Sequence, residues 1–158
     1  MNNCDIKYMN LALEQARKAA AQGEVPIGAV LVRDAQVLTQ AHNFRETWQD
    51  PTAHAEMIAI REAATESGSW RLIDTTLYVT IEPCAMCIGA IILARIPRLV
   101  FGALDPKAGA CGSVLNVPAE RRLNHRIEVI GGMLEQESQE VLQTFFKNLR
   151  EGVRESAG

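Results

Sequence analysis

Apolar positions along the chain recur with two different periods, and these predict an alternation of helices and strands. In residues 5–21 apolar side chains return at helical spacing, which predicts an opening helix that ends near Gln22-Gly23. Residues 27–32 are apolar and β-branched, and residues 37–40 resume that extended character after a polar turn. These two segments predict a hairpin.

The same signals predict the remaining elements. Asp50-Pro51 is typical of a helix start, because Asp caps a helix and Pro is tolerated at its first position, and this helix is expected to run to about Ser67. Further elements are predicted as a strand at 77–81, a helix from Pro83 to 94, strands at 98–104 and 127–130, and a helix at 134–149. Residues 105–126, rich in Gly and polar side chains, are interpreted as a functional loop. Helices that alternate with strands after a hairpin predict an α/β layer fold with a mixed sheet.

Length and composition are those of one ordinary globular domain. The 158 residues predict a single domain over residues 1–158, and 47% hydrophobic with 22% charged residues argues against disorder and disulfide scaffolds. The longest apolar stretch, residues 88–94, is too short to span a membrane, and the charged N-terminus does not resemble an export signal. We therefore expect a cytoplasmic protein with no membrane partner.

The four cysteines and one histidine indicate metal chemistry. Cys84 and Cys87 are three residues apart at a predicted helix start, so their side chains share one face and can bind the same ion. His54 lies near the start of the preceding helix, at an equivalent strand-to-helix junction. One His and two Cys suit zinc, and three ligands leave one position for water, which is typical of a catalytic site.

Two other interpretations of these residues remain. Cys4 or Cys111 could supply a fourth ligand and make the site structural, or the CxxC could be a redox pair, although a redox pair has no need of His54. Glu56, two residues past His54, points in a different direction on a helix, so we predict that it is a proton carrier rather than a ligand. A solvated acid in a first helical turn is the alternative.

Much of the chain resembles the bacterial tRNA-specific adenosine deaminases. The matching runs are EVPIGAV at 24–30, DPTAHAE at 50–56, LIDTTLYVTIEPCAMC at 72–87, Gly89-Ala90, VFG at 100–102, Asp105, Lys107, Gly109, Gly112-Ser113, NHR at 124–126 and FFK at 145–147. The H-x-E and P-C-x-x-C motifs are shared with other zinc deaminases. The longer runs, especially 105–113, favour the tRNA enzymes.

The resemblance implies a fold, a reaction and a set of roles. The fold would be a three-layer α/β/α cytidine deaminase-like fold with a mixed five-stranded central sheet. One Zn²⁺ per chain would be held by His54, Cys84 and Cys87, and Glu56 would move protons while adenosine becomes inosine at the first anticodon position. Residues implied in substrate binding are Asn43 and Ala55 at the base, Asp105 at a ribose, Lys107 and Arg126 at phosphates, and Phe146 near a loop base.

The partner implied by the resemblance is a tRNA anticodon stem-loop, with an arginine tRNA as the expected substrate and a homodimer as the expected assembly. The net charge of −3 is the sum of +4 in residues 95–126 and −7 elsewhere, so the basic segment is predicted to face RNA. Phe44 and Trp48 depart from the family pattern, since they lie in a loop where relatives tend to be more polar.

Two competing functions use the same residues. A zinc deaminase of free bases or nucleosides, of the guanine or cytosine deaminase type, would share the metal and the carboxylate, and the basic segment argues against it. A zinc-stabilised binding module without catalysis would need neither the open coordination position nor Glu56.

Overall fold

A computed structural model of the chain describes the backbone of residues 2–157 and the side chains of residues 2–152, so Met1 and Gly158 lie outside the described residues. The elements in chain order are α1 Asn3–Ala21, β1 Gly28–Arg33, β2 Gln36–His42, α2 Arg45–Trp48, α3 Ala55–Ser67, β3 Thr75–Ile81, α4 Ala85–Leu93, β4 Arg98–Ala103, a 3₁₀ turn Val117–Ala119, β5 Glu128–Ile130 and α5 Glu135–Ala157. No helix within this part of the chain is both long enough and apolar enough to cross a membrane.

The five strands form one mixed sheet in the order β2-β1-β3-β4-β5. The central strand pair β1 and β3 is antiparallel, as is the hairpin of β1 and β2, whereas β4 runs parallel to both β3 and β5. The hairpin turns at Asp34 and Ala35, whose φ angles of 51° and 59° are those a two-residue turn requires. The predicted mixed five-stranded sheet is confirmed.

Helices cover both faces of the sheet. Because neighbouring residues of a strand point to opposite faces, β1 contributes Ala29 and Leu31 to the core beneath α3 and α4. Val30 and Val32 enter the second core, beneath α1. The three-layer α/β/α arrangement is therefore confirmed.

A buried ionic contact joins α1 to the sheet. The two carboxylate oxygens of Asp5 accept hydrogen bonds from the Arg98 guanidinium at 2.8 and 2.7 Å, and the Tyr78 hydroxyl donates to the same carboxylate at 2.6 Å. The hydrogen bonds from Arg98 hold the pKa of Asp5 below its usual value, although burial opposes them. This contact links residues 93 positions apart in the sequence.

Some boundaries differ from the predictions. The helix expected to begin at Pro51 begins at Ala55, because Asp50 accepts hydrogen bonds from the backbone N–H and the hydroxyl of Thr52 at 2.8 and 2.7 Å and closes a turn instead. The last helix was expected to end at 149, but it continues to Ala157. The polar segment before Asp50 contains a helical turn, α2, that the pattern did not predict.

Candidate metal centre and active site

The N-termini of α3 and α4 bring the three predicted metal ligands together. His54 is the N-cap residue of α3, Cys84 is the N-cap residue of α4, and Cys87 lies in the first turn of α4. The Nδ1 atom of His54 lies 3.5 Å from Sγ of Cys87 and 3.8 Å from Sγ of Cys84, and all three donor atoms lie within 4.8 Å of one another.

These distances fit a tetrahedral zinc ion. With a Zn–N bond of about 2.0 Å and a Zn–S bond of about 2.3 Å, tetrahedral geometry separates the nitrogen and sulfur atoms by roughly 3.5 Å. The cluster contains no fourth His, Cys, Asp or Glu among the described residues. A closed structural site is therefore disfavoured, and the donor set is that of a site that keeps one position for water.

The thiols of this cluster are strongly coupled. A hydrogen bond from Cys87 lowers the pKa of the Cys84 thiol to about 3, and His54 adds to that shift. The same bond and burial raise the pKa of Cys87, while the hydrogen bond with Cys84 raises the pKa of His54. Burial raises the pKa of Cys111 to about 12, and this thiol lies outside the His/Cys/Cys cluster.

Glu56 lies beside the cluster and is buried. It is the second residue of α3, and burial is the main cause that raises its carboxyl pKa above the usual value. A buried carboxyl group beside a metal site is a typical general acid and base. This placement is what a proton carrier needs, and it excludes the solvated acid considered as the alternative.

His54, Cys84 and Glu56 line a cavity of about 490 Å³, a volume in the usual range of small-molecule sites. The cavity lining includes seven of the predicted site residues: Asn43, His54, Glu56, Cys84, Asp105, Lys107 and Phe146. Cys87 lies behind the lining and is fully buried. The wall is completed by apolar side chains such as Ile27 and Leu142, which suit the faces of a flat ring.

Three of the predicted site residues form hydrogen bonds within the chain. The backbone N–H of Ala55 donates to Oδ1 of Asn43 at 2.9 Å, so this pair joins the end of β2 to the start of α3. Arg126 does not line the cavity, and its guanidinium donates to the carbonyl of Arg121 at 2.9 Å.

The basic segment 95–126 is not one continuous positive surface. Arg98 is paired with Asp5, and Arg122 is paired with Glu120 at 2.7 Å. Lys107 is exposed and lines the cavity. The charge that faces the cavity from this segment is therefore smaller than the sequence sum of +4.

Glu82 is a site residue that the sequence analysis did not single out. Its buried carboxylate accepts hydrogen bonds from the backbone N–H groups of Asp105, Cys111 and Ser113 at 3.1, 2.9 and 3.1 Å, and from the Ser113 hydroxyl. Burial opposes ionisation, but these donors together lower the pKa of Glu82. The feature of the sequence that could have identified Glu82 is its position, as a single acidic residue between the apolar strand β3 and Pro83.

Comparisons with known proteins agree with this site. A family model described as MafB19-like deaminase matches residues 3–150. A tRNA-specific adenosine deaminase of Bacillus subtilis (strain 168) is 51% identical over 146 residues, which cover 92% of this chain and 91% of that protein. The fold and the His/Cys/Cys cluster with its buried carboxyl group define a deaminase of the cytidine deaminase-like class.

Solved structures narrow the assignment. A structure from a study of A-to-I editing by tRNA:A34 deaminases at the wobble position of transfer RNA has a TM-score of 0.83 and 46% identity, and the match covers 86% of this chain and 99% of that one. A guanine deaminase from Bacillus subtilis has a TM-score of 0.62 and 32% identity, with 81% and 83% covered. Within the deaminases, the chain belongs to the tRNA-specific adenosine deaminase family.

Proposed function

We propose that this chain catalyses the hydrolytic deamination of adenosine to inosine at the first anticodon position of a tRNA, with one zinc ion held by His54, Cys84 and Cys87. The observation that carries the proposal is the buried carboxyl group of Glu56 beside this His/Cys/Cys cluster, in a cavity of about 490 Å³. The named relatives support tRNA over a free base as the substrate.

The reaction replaces the exocyclic amine of adenine with oxygen from water. Zinc bound by the three ligands would supply Lewis-acid activation of a water molecule near neutral pH. Glu56 takes a proton from the attacking water and delivers it to the ring nitrogen beside C6, as the new C–O bond forms. It then carries the proton of the new C6 hydroxyl group to the leaving amine, so that the C–N bond breaks, ammonia departs and the C6 oxygen becomes the carbonyl of inosine.

Other lining residues would hold the nucleotide. Asn43 lines the cavity and its oxygen accepts from the N–H of Ala55, so its side-chain amide nitrogen would donate to the base edge. Asp105 and Lys107 line the outer part, where a carboxylate can accept from a ribose 2′-OH and an ammonium can contact a phosphate. Phe146 is 40% exposed at the cavity wall and offers a ring to an adjacent loop base.

Arg126 has a different position in this proposal. It lies outside the cavity lining and is exposed, so it would contact a phosphate on the stem rather than near the reacting nucleotide. We expect an arginine tRNA as the substrate, in line with the family resemblance.

The proposed assembly is a homodimer formed through α4. Ile88 and Ile91 of this helix are buried within the chain. Its outer residues are also apolar, from Ala85 and Met86 to Leu93, which is 69% exposed. An uncharged outer helix face of this kind suits a second copy of the chain, and light scattering of a Leu93→Lys variant tests it, since loss of the dimer is expected.

An anticodon stem-loop assay tests the proposed reaction. The purified protein should contain about one zinc ion per chain and form inosine in an arginine tRNA stem-loop, with little turnover of free nucleosides. A stem-loop that carries guanosine at the same position is the matched substrate control. Rapid turnover of free guanine or cytosine with an inert stem-loop would establish the free-base alternative, for which the similarity to a guanine deaminase is the supporting observation.

A further inference from the structure

Three aromatic rings form a stack that runs from the core to the surface. The rings of His42 and Phe44 are 4.4 Å apart between centroids with an interplanar angle of 17°, and those of Phe44 and Trp48 are 4.5 Å apart at 18°. His42 is buried, Phe44 is half-buried against the main core, and Trp48 is 53% exposed. Since Phe44 covers one face of the indole, the exposed half of Trp48 includes its other face.

The stack stands next to the cavity and is held in place. Trp48 ends the short helix α2, whose first residue, Arg45, lines the cavity, and residues three apart on a helix share a face. The buried carboxylate of Glu24 accepts hydrogen bonds from the backbone N–H groups of Glu46 and Thr47 at 3.0 and 2.6 Å. The indole is therefore a positioned ring three residues from a cation that lines the cavity.

We propose that the outer face of Trp48 stacks on an unpaired loop base of the RNA, next to the nucleotide that enters the cavity. Every base has two flat faces and can stack on an aromatic ring whatever its identity. Arg45 can contact a neighbouring phosphate. This inference rests on the proposed function, since it names a second contact of the same substrate.

The chain contains two tryptophans, which allows a direct spectroscopic test. Trp70 is equally exposed, at 55%, but it packs against Arg71 away from the cavity lining. In Trp70→Phe, where Trp48 is the remaining emitter, titration with a stem-loop should quench the emission saturably. In Trp48→Phe, where Trp70 remains, the emission should stay unchanged. Unchanged Trp48 emission while the same stem-loop is bound and deaminated would overturn the proposal.

Steady-state kinetics of stem-loop deamination provide a second test of the stacking proposal. Trp48→Ala should raise KM for the stem-loop about tenfold and leave kcat unchanged, as expected for loss of one stacked base. Trp48→Phe should restore KM, and Trp70→Ala should leave it unchanged. Stem-loops that each carry one abasic site then identify the base that stacks on Trp48. The abasic site that removes this base should raise KM for the parent enzyme and leave the KM of Trp48→Ala unchanged.

Different results would contradict the proposed function and the stacking proposal. If the parent enzyme does not deaminate the stem-loop, the proposed function is wrong. If the stem-loop is deaminated but KM for Trp48→Ala equals that of the parent and no abasic site distinguishes the two enzymes, the stacking proposal is wrong and the proposed function stands.

Discussion

The carboxylate of Glu82 binds Ser113 twice, through the backbone N–H at 3.1 Å and through the hydroxyl group. The two residues lie 31 positions apart, one directly after β3 and the other beyond the loop that carries Asp105 and Lys107. A Cβ atom at Gly109 would collide with the same carboxylate, so the loop passes directly over it. Glu82 thus ties the outer wall of the cavity to the sheet next to the metal ligands.

Substitution of Glu82 by Gln is expected to loosen the loop at 105–113. Gln has one acceptor oxygen in place of two and turns N–H donors toward backbone N–H groups, so we expect the free energy of unfolding to fall by about 2 kcal/mol. Amide hydrogen exchange at Asp105, Cys111 and Ser113 should accelerate, and KM for the stem-loop should rise.

Ser113→Ala is the matched control for that variant, because it removes one donor and keeps the carboxylate. Its effect on exchange and KM should be clearly smaller, and both variants should keep their zinc. Normal exchange protection in Glu82→Gln would show that the carboxylate does not hold the loop.

Glu56→Ala should separate metal binding from catalysis. The three ligands remain in place, so the zinc content should stay near one per chain, while inosine formation should fall about 10²- to 10⁴-fold through loss of proton transfer. Zinc content by atomic absorption and single-turnover rates measure the two effects. Loss of zinc together with activity would mean that Glu56 is itself a ligand.

Cys87→Ser should abolish zinc retention, because it removes one of three ligands and a hydroxyl is a poor replacement for a thiolate. Cys4→Ser is the control, since Cys4 is exposed on α1 and lies outside the cluster. Chelation should inactivate the parent enzyme, and added zinc should restore it. Full activity of metal-free Cys87→Ser would contradict the zinc assignment.

The contact between Asp5 and Arg98 should make stability depend on pH in the acid range. Because the folded-state pKa of Asp5 lies below its unfolded value of about 4, the contact contributes stability above about pH 4 and loses it as pH falls through the folded pKa. Asp5→Asn should therefore lower the free energy of unfolding by about 2 kcal/mol at pH 7 and much less near pH 2. Urea unfolding at several pH values measures this, and an equal loss at all pH values would contradict it.

Salt dependence should report how few phosphates the enzyme contacts. Lys107→Ala should weaken stem-loop binding and reduce the slope of log K against log salt by about 1. Lys18→Ala, in the last turn of α1, should change neither. A slope for the parent enzyme near that of extended duplex binders would contradict a small local contact surface.

Several parts of the fold could be predicted because they depend on neighbours in the sequence. Helical and extended periodicities located the sheet strands and most helices, since each element buries one face and repeats its apolar positions accordingly. The prediction that a helix starts at Pro51 was wrong, and the reason lies in a hydrogen bond between near neighbours. Asp50 used its side chain to bind Thr52 in a turn, which competes with capping a helix for the same residue type.

The sequence by itself predicted the His/Cys/Cys cluster that the fold assembles, and its motif indicated the reaction class. Cys84 and Cys87 are three residues apart on a helix, so their convergence follows from helical geometry, and the motif with His54 and Glu56 indicates the chemistry. Only the tertiary structure decided which distant groups pair. It buried Glu56, turned Glu82 toward the loop at 105–113, and paired Arg98 with Asp5, which removed a charge that the sequence had counted toward RNA binding. These contacts join residues that are remote along the chain, and sequence spacing carries no information on which remote groups a folded sheet brings within hydrogen-bond distance.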